Sequence, residues 1–195
     1  MSVYLYDESL LNKIKSWTDI TQMKIYGPDD ARQLYQVIAD ENNDKRLELP
    51  FLVLTRPGGY TITNTNRRPL SYNGFNFLQG EHCATKINAI PIEIRYQLDV
   101  YTRYMKESDA YTRELIFNII NHPELKVKIP YKDTQYEHIA NIWVSDEVAD
   151  NSDIPEIIIR GNYYRMTLNI RIDDAYLWDV KNYRNVKIEE HVDAK

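Results

Sequence analysis

The strict alternation of side chains between positions 90 and 101 constrains the fold of this chain more than any other feature. Apolar and aromatic residues share one set of alternate positions: Ile90, Ile92, Ile94, Tyr96, Leu98 and Val100. The other set is mostly polar: Pro91, Glu93, Arg95, Gln97, Asp99 and Tyr101. Because successive side chains of a strand point to opposite faces of a sheet, this pattern predicts a long strand with one face in a core. The other face, with Glu93, Arg95 and Asp99, is a candidate polar surface.

A helix is predicted after this strand, since the apolar positions change to helical spacing: Tyr111, Leu115, Ile116, Ile119 and Ile120. Ser108 is the predicted N-cap, and Asp109 places negative charge in the first turn. The residue before Pro123 avoids helical backbone angles, so the helix should end at residues 121–122. Alternation then resumes at Leu125, Val127 and Ile129, which predicts a strand–helix–strand centre.

Further elements flank this centre. The pattern predicts a helix over 7–17, a second helix capped by Asp29 or Asp30, a strand over 49–54 that is buried on both faces, and strands over 139–144 and 164–172. These elements indicate an α+β fold with an antiparallel or mixed sheet and helices on one face. We expect one domain over 1–180, followed by a charged C-terminal tail over 181–195.

The segment 57–80 predicts an extended β-arm or loop. It contains Gly58-Gly59 and Asn73-Gly74, and the second pair is a strong signal for a tight hairpin. Two alternatives stay open: an arm that projects onto a neighbouring subunit, and an ordinary hairpin packed on its own domain. Candidate contact residues of an arm are Tyr60, Arg67, Arg68, Tyr72, Phe75 and Phe77.

Composition narrows the classes of function. Cys83 is the single cysteine of the 195 residues, so an internal disulfide is excluded. The net charge of −5 argues against tight non-specific binding of nucleic acid. No stretch reaches the ~20 apolar residues that span a membrane, and the N-terminus lacks the pattern of a signal peptide. The 16 tyrosines suit either a surface that is buried on assembly or ordinary sheet positions.

No coherent catalytic constellation is apparent. His82 is adjacent to Cys83, but the remaining histidines show no spacing typical of metal ligands, and a phosphate-binding loop is absent. The enzymatic alternative is a metal-dependent nuclease that uses Asp99 with the Glu124-x-Lys126 pair. Alternation with core residues produces such a Glu-x-Lys pair on any surface strand. We therefore predict no enzymatic activity, no metal and no cofactor, with the nuclease as a second alternative.

Two parts of the chain resemble phage tail proteins. The block IPIEIRYQLDVYTRY (90–104), leading into TRELIF (112–117), is similar to the strand–helix core of bacteriophage tail terminator proteins. The segments NSDIPE (151–156) and RGNYYR (160–165) resemble segments of neck and tail proteins of contractile-tailed phages. The resemblance covers about residues 48–178, without the segment 57–80.

The resemblance implies a non-enzymatic virion protein that forms a hexameric ring at the head-proximal end of the tail tube. Such a ring ends tube polymerisation and joins the tail to the neck. The implied partners are further copies of this chain and the tail tube, sheath and neck or connector proteins, with DNA only as passing cargo and no membrane. The implied location is the virion, and the host cytoplasm during assembly. The alternative of the same class is another neck, connector or baseplate ring component.

Overall fold

The computed structural model of the protein describes residues 2–17, 23–31, 49–63, 70–72, 76–79, 83–84, 87–131, 134–152, 163–179 and 185–186. Two helices are described over their whole length, α1 (Ser2–Lys15) and α2 (Met105–Asn121), and residues 28–31 are the described part of a further helix. Its strands are β1 (Lys24–Tyr26), β2 (Phe51–Thr55), β3 (Tyr60–Ile62), β4 (Leu70–Tyr72), β5 (Asn76–Gln79), β6 (Cys83–Ala84), β7 (Ile87–Thr102), β8 (Glu124–Tyr131), β9 (Thr134–Asp150), β10 (Tyr164–Asp179) and β11 (Asn185–Val186).

The alternating segment forms β7, the central strand of a curled mixed sheet. Along one edge, β7 pairs antiparallel with β10 from Thr102–Tyr164 to Asn88–Asp179. It also pairs antiparallel with β2, β3 and β4, which follow one another along β7. Strand β1 is parallel to β2, which makes the sheet mixed. The predicted α+β fold with a mixed sheet is confirmed.

The sheet turns at β9. The first half of β9 pairs with β8 and β5, whereas its second half pairs with β10. Two register shifts bend the sheet further, because bulges increase local twist. One adds residues to β9 between Val144 and Val148, and the other adds a residue to β10 between Ile172 and Ala175. The two-strand pair of β6 and β11 lies at residues 83–84 and 185–186. Apart from those two positions of β11, the tail predicted over 181–195 lies outside the described residues.

Both helices pack on the same side of the sheet. Tyr6, Leu10 and Ile14 of α1 share one core with Leu115 and Ile119 of α2 and with the even-numbered residues of β7. The prediction of helices on one face holds for α1 and α2.

A smaller cluster lies on the opposite face of the sheet, where Ala31 from the helical residues 28–31 packs with Phe51, Val53 and Tyr101. Residues 51–54 of β2 are consequently buried on both faces, as the sequence predicts.

The predicted start and face of α2 are partly wrong. The helix begins at Met105 after Tyr104, whose side chain makes no capping hydrogen bond, and Ser108 lies one turn inside the helix, fully buried. The buried positions are Ser108, Thr112, Leu115 and Ile119, a stripe rotated from the predicted one. Ile120 is therefore 61% exposed.

Two other predicted helix starts are also wrong. The helix α1 begins at Ser2, so that Asp7 lies within it and is buried instead of occupying the first turn. At residues 28–31 the backbone N–H groups of Asp30 and Ala31 donate to the Gly27 carbonyl, which makes Gly27 the N-cap. Pro28 takes the first helical position, where its missing N–H costs nothing. The remaining predicted stripe of this helix, residues 34–39, lies outside the described residues.

Candidate subunit interface

The core-facing side of the sheet reaches solvent at β3. Tyr60 pairs with Ile94, and Ile62 pairs with Ile92, so all four side chains lie on the same face. Ile92 and Ile94 are fully buried, whereas Tyr60 is 44% and Ile62 is 55% exposed. An apolar surface that begins in the core thus continues to the open edge of the domain.

The double glycine before β3 separates this strand from β2. Thr55 pairs with Gln97 and Tyr60 with Ile94, so the β2–β3 side holds more residues than the facing part of β7. The surplus is accommodated at Gly58 and Gly59, with φ of 93° and 82°. Glycine adopts such angles without the steric penalty of other residues. The pairing of β1 with β2 ends at Val53, and no strand within the described part of the chain covers the outer edge of β3.

The backbone of β3 is also available at this edge. The Thr63 N–H donates to the Pro91 carbonyl (3.1 Å), which fixes the hydrogen-bonding phase of the β3–β7 ladder. The backbone groups of successive residues point alternately toward and away from the paired strand. Those of Thr61 therefore face β7, and those of Tyr60 and Ile62 face outward. The edge therefore combines exposed apolar side chains with outward backbone donors and acceptors.

The segment 57–80 runs along the domain's own sheet wherever it is described. Tyr72 belongs to β4, which pairs with β7, and Phe77 belongs to β5, which pairs with β9. β4 and β5 therefore pair with different strands and not with each other, contrary to the tight hairpin signal at 73–74. This course agrees with the alternative of a segment packed on its own domain. Arg67, Arg68 and Phe75 lie outside the described residues, and a contact of the segment with a neighbouring subunit stays a prediction.

Asp99 lies on the predicted polar face but is fully buried. Its carboxylate accepts hydrogen bonds from Thr167 Oγ1 (2.6 Å), Arg165 Nη2 (2.9 Å) and Gln97 Nε2 (3.0 and 3.1 Å). The Asn151 amide in turn donates to Thr167 Oγ1 (2.8 Å). Asp99 is thus the centre of a structural network and not an exposed binding residue.

Glu93 and Arg95 do lie on an open part of this face. Arg95 Nε donates to Glu93 Oε1 (2.6 Å), and Arg171 pairs with Asp173 (2.7 Å) in the same way on β10. Arg171 stands opposite Arg95 on one side and opposite Trp143 on the other, with Trp143 52% exposed. Each arginine already has a carboxylate partner, so this surface carries little net charge.

The structure does not bring the residues of the nuclease alternative together. Asp99 stands opposite Thr167, which stands opposite Ala149 of β9. Glu124 stands opposite Asn141 of the same strand. These two positions of β9 are separated by about 20 Å, because the interval corresponds to about six residues of the neighbouring strand β10 at the usual strand rise. Among the described residues no group of three or more His, Cys, Asp or Glu side chains could hold a metal ion.

Two buried polar clusters that the sequence pattern does not predict lie beneath the helices. In the first, Tyr96 donates to Asp7 Oδ1 (2.8 Å) and Arg56 pairs with Asp7 Oδ2 (3.3 Å). Burial raises the pKa of Asp7, and the hydrogen bond from Tyr96 opposes this shift. Burial and the adjacent Asp7 carboxylate raise the pKa of Tyr96. Asp7 occupies a polar position of the predicted first turn, so no sequence signal indicated its burial.

The second cluster surrounds His138, which is 1% exposed. Its ring contacts those of Tyr6, Tyr176 and Trp178 edge-on, at centroid distances of 6.2, 5.4 and 5.3 Å. Its Nε2–H donates to the Asp174 carbonyl (2.7 Å). Burial lowers the pKa of His138, although the Asp174 carbonyl opposes this effect. The only sequence signal for this burial is the alternation of His138 with Tyr136 and Ala140.

None of the described helices is long and apolar enough to cross a membrane. Comparison with protein-family models and with curated proteins found no match to this sequence. The candidate interface at β3 therefore stands on the geometry of this chain alone.

Proposed function

We propose that this protein is a non-enzymatic structural subunit that associates through the β3 edge, and that it acts as a tail terminator in the virion of a contractile-tailed phage. The observation that carries the assembly is the exposure of Tyr60 and Ile62 on the core-facing side of the sheet. An exposed edge with apolar side chains is a template for pairing with another chain. Burying these side chains against a neighbour removes apolar surface from water, and each fully buried side chain contributes about 1.5–3 kcal/mol.

The hexameric ring and the place at the head-proximal end of the tail tube rest on the resemblance of residues 90–117 to tail terminators. A ring requires head-to-tail contacts between two different surfaces of each subunit, and the edge at β3 supplies one of them. Another neck, connector or baseplate ring component would use the same edge, so that the alternatives differ in the partner and not in the interface.

The electrostatics of the open sheet face are compatible with DNA as passing cargo. Arg95 and Arg171 are each paired with a carboxylate, and the chain carries a net charge of −5. Affinity for DNA grows with each phosphate that a basic residue neutralises. A surface with internally paired arginines adds little of this affinity, which suits a protein past which DNA slides.

The mass of the protein in solution tests this proposal. We expect light scattering coupled to gel filtration to give six times the chain mass of 23.1 kDa, either alone or with tail tube protein. The double variant Tyr60→Ser, Ile62→Ser should remain at the monomer mass with an unchanged melting temperature. Ile139→Ser is the matched control, because Ile139 is exposed on β9, away from this edge.

The outcomes separate the alternatives. A wild-type protein that stays monomeric with and without tail tube protein contradicts the proposal, and so does normal assembly of the double variant. A ring that forms but does not bind tail tube protein favours another neck or baseplate position.

A further inference from the structure

A groove lies between α1 and β8, the strand that forms a hairpin with β9. Its volume is about 890 Å³, and its walls come from one face of α1 and from the outer edge of β8. The α1 wall includes Leu5, Glu8, Ser9 and Lys13. The β8 wall runs from Glu124 to Pro130.

The edge of β8 presents its backbone to this groove. The Ile142 N–H donates to the Pro123 carbonyl (2.8 Å), which fixes the phase of the ladder between β8 and β9. Backbone groups of the odd-numbered residues of β8 therefore bond to β9, and those of Glu124, Lys126 and Lys128 point away from it. Throughout the described ranges, no strand pairs with β8 on this outer side.

One of these outward groups already accepts a hydrogen bond from α1. Lys13 Nζ donates to the Glu124 carbonyl (2.8 Å) at one end of the groove. At the other end stands Pro130, which has no N–H to donate to a partner strand. Between these ends the outward N–H and C=O groups of Lys126 and Lys128 are positioned to pair with an extended chain.

Lysines outnumber carboxylates along the groove, although the protein is acidic overall. Lys13, Lys126 and Lys128 line it, against the two carboxylates of Glu8 and Glu124. Burial lowers the pKa of Lys13, and the nearby charge of Lys126 lowers it further, against the opposing effect of Glu124. A negatively charged partner would gain contacts with Lys126 and Lys128, whose side chains are exposed beside the groove.

We propose that this groove binds an extended acidic segment of a partner protein, which adds a strand to the outer edge of β8. The segment from Glu124 to Pro130 is about 20 Å long at the usual strand rise, enough to pair with about six residues. Strand addition takes affinity from main-chain hydrogen bonds and specificity from alternate side chains. The proposal is independent of ring assembly, which uses the opposite edge of the sheet at β3.

The two sides of the groove determine which kinds of side chain the partner segment should carry. One set of alternate side chains lies on the face that carries the exposed side chains of Lys126 and Lys128, and carboxylates suit these positions. The other set faces α1, where Leu5 and Ser9 favour small apolar side chains. An alternation of glutamate and valine is the simplest sequence that meets both requirements.

A fluorescent hexapeptide of alternating glutamate and valine tests the proposal by anisotropy titration of the full chain. We expect saturable binding that weakens with added salt, because exposed charges contribute to it. The double variant Lys126→Glu, Lys128→Glu should weaken binding at least about tenfold, which corresponds to about 1.4 kcal/mol. The double variant Arg103→Glu, Lys106→Glu is the charge-matched control, since both residues are exposed at or beside the start of α2, and it should bind as wild type does.

Hydrogen exchange of the backbone amides identifies the binding mode. The amides of Lys126 and Lys128 should exchange rapidly in the free protein and become protected by the peptide. Amides of Val127 and Ile129, which bond to β9, should be protected in both states. A peptide methylated at its alternate backbone nitrogens should lose binding, because it cannot donate to the strand edge.

Three results would overturn the proposal. One is the absence of binding at millimolar peptide, and another is binding that leaves the amides of Lys126 and Lys128 unprotected. The third is protection of these amides in the protein alone as its concentration rises, since that would make a second copy the occupant of the groove.

Discussion

The hydroxyl of Tyr96 donates a hydrogen bond to the carboxylate of Asp7 across 2.8 Å, and this contact joins the first helix to the central strand. Asp7 is 7% exposed, and burial disfavours its charged form. The contact therefore stabilises the attachment of α1 through a hydrogen bond whose acceptor does not have to be charged.

We expect Asp7→Asn and Asp7→Ala to differ in stability at pH 7. The asparagine keeps an oxygen that accepts from Tyr96 and avoids the burial of a charge. It loses the ion pair with Arg56, but burial outweighs that pair in its effect on Asp7, and the Arg56 side chain reaches solvent, so the melting temperature should equal or exceed that of wild type. Alanine leaves the Tyr96 hydroxyl without this acceptor and should cost about 1–3 kcal/mol. Thermal unfolding at pH 7 measures both changes, and an asparagine variant as unstable as the alanine variant would contradict this account.

Removal of the Asp99 carboxylate should destabilise the protein strongly. Asp99→Ala leaves the Arg165 guanidinium, whose side chain is only 12% exposed, without its carboxylate. Breaking a buried pair costs about 3–5 kcal/mol. The matched control is Glu93→Ala, which breaks the exposed pair with Arg95 on the same strand and should change stability by no more than about 1 kcal/mol. Urea unfolding of the two variants gives both free energies, and equal losses would refute the distinction between the buried and the exposed pair.

Ser108→Ala should be neutral or stabilising. The Ser108 hydroxyl is buried in α2, and no hydrogen-bond partner for it exists among the described residues. Replacing a buried hydroxyl that lacks a partner by a methyl group removes a desolvation cost. An N-cap serine would instead lose about 1 kcal/mol on this substitution. Thermal unfolding decides between these roles, and Thr112→Val provides a second case, because the Thr112 hydroxyl is also buried and lacks a partner in this part of the chain.

His138 should make the protein less stable in mild acid. Its folded-state pKa lies below the unfolded value of 6.5, because burial disfavours the imidazolium. Its contribution to stability is therefore complete above about pH 6.5 and is lost as the pH falls through the folded-state pKa. The free energy of unfolding of wild type should fall more steeply between pH 7.5 and 5.5 than that of His138→Gln. Parallel curves for the two proteins would contradict this role of His138.

The alternation of apolar and polar residues predicted the long strands. It is regular because one face of β7 and of β10 is buried along most of its length. The face of α2 was harder to predict, since its buried positions include Ser108 and Thr112 while Phe117 and Ile120 are exposed. Hydrophobicity alone cannot indicate a helix that packs through hydroxyl residues. Gly27 was not identified as an N-cap because Asp29 and Asp30 carry stronger capping side chains.

The candidate interface was predictable only in part. Tyr60 follows from the composition of the segment 57–80, but its exposure depends on the register that places it opposite Ile94 at an open edge. The groove at β8 depends on the position of α1, which is more than 100 residues away in sequence. Both surfaces depend on contacts between segments that are far apart in sequence, and local sequence patterns do not predict such contacts.

The pairing of β7 with β10 has a consequence for synthesis on the ribosome. Nearly every residue of β7 pairs with a residue of β10 that follows it by 62 to 91 positions, so the central strand cannot gain its longest neighbour until the chain has grown to Asp179. Contacts of such sequence separation form late and slowly. During this interval β7 exposes an apolar face, and the charges of Glu93 and Arg95 on its other face oppose premature stacking with other nascent chains. The side chains of Glu93 and Arg95, which pair with each other in the folded protein, thus oppose aggregation of the strand before its fold is complete.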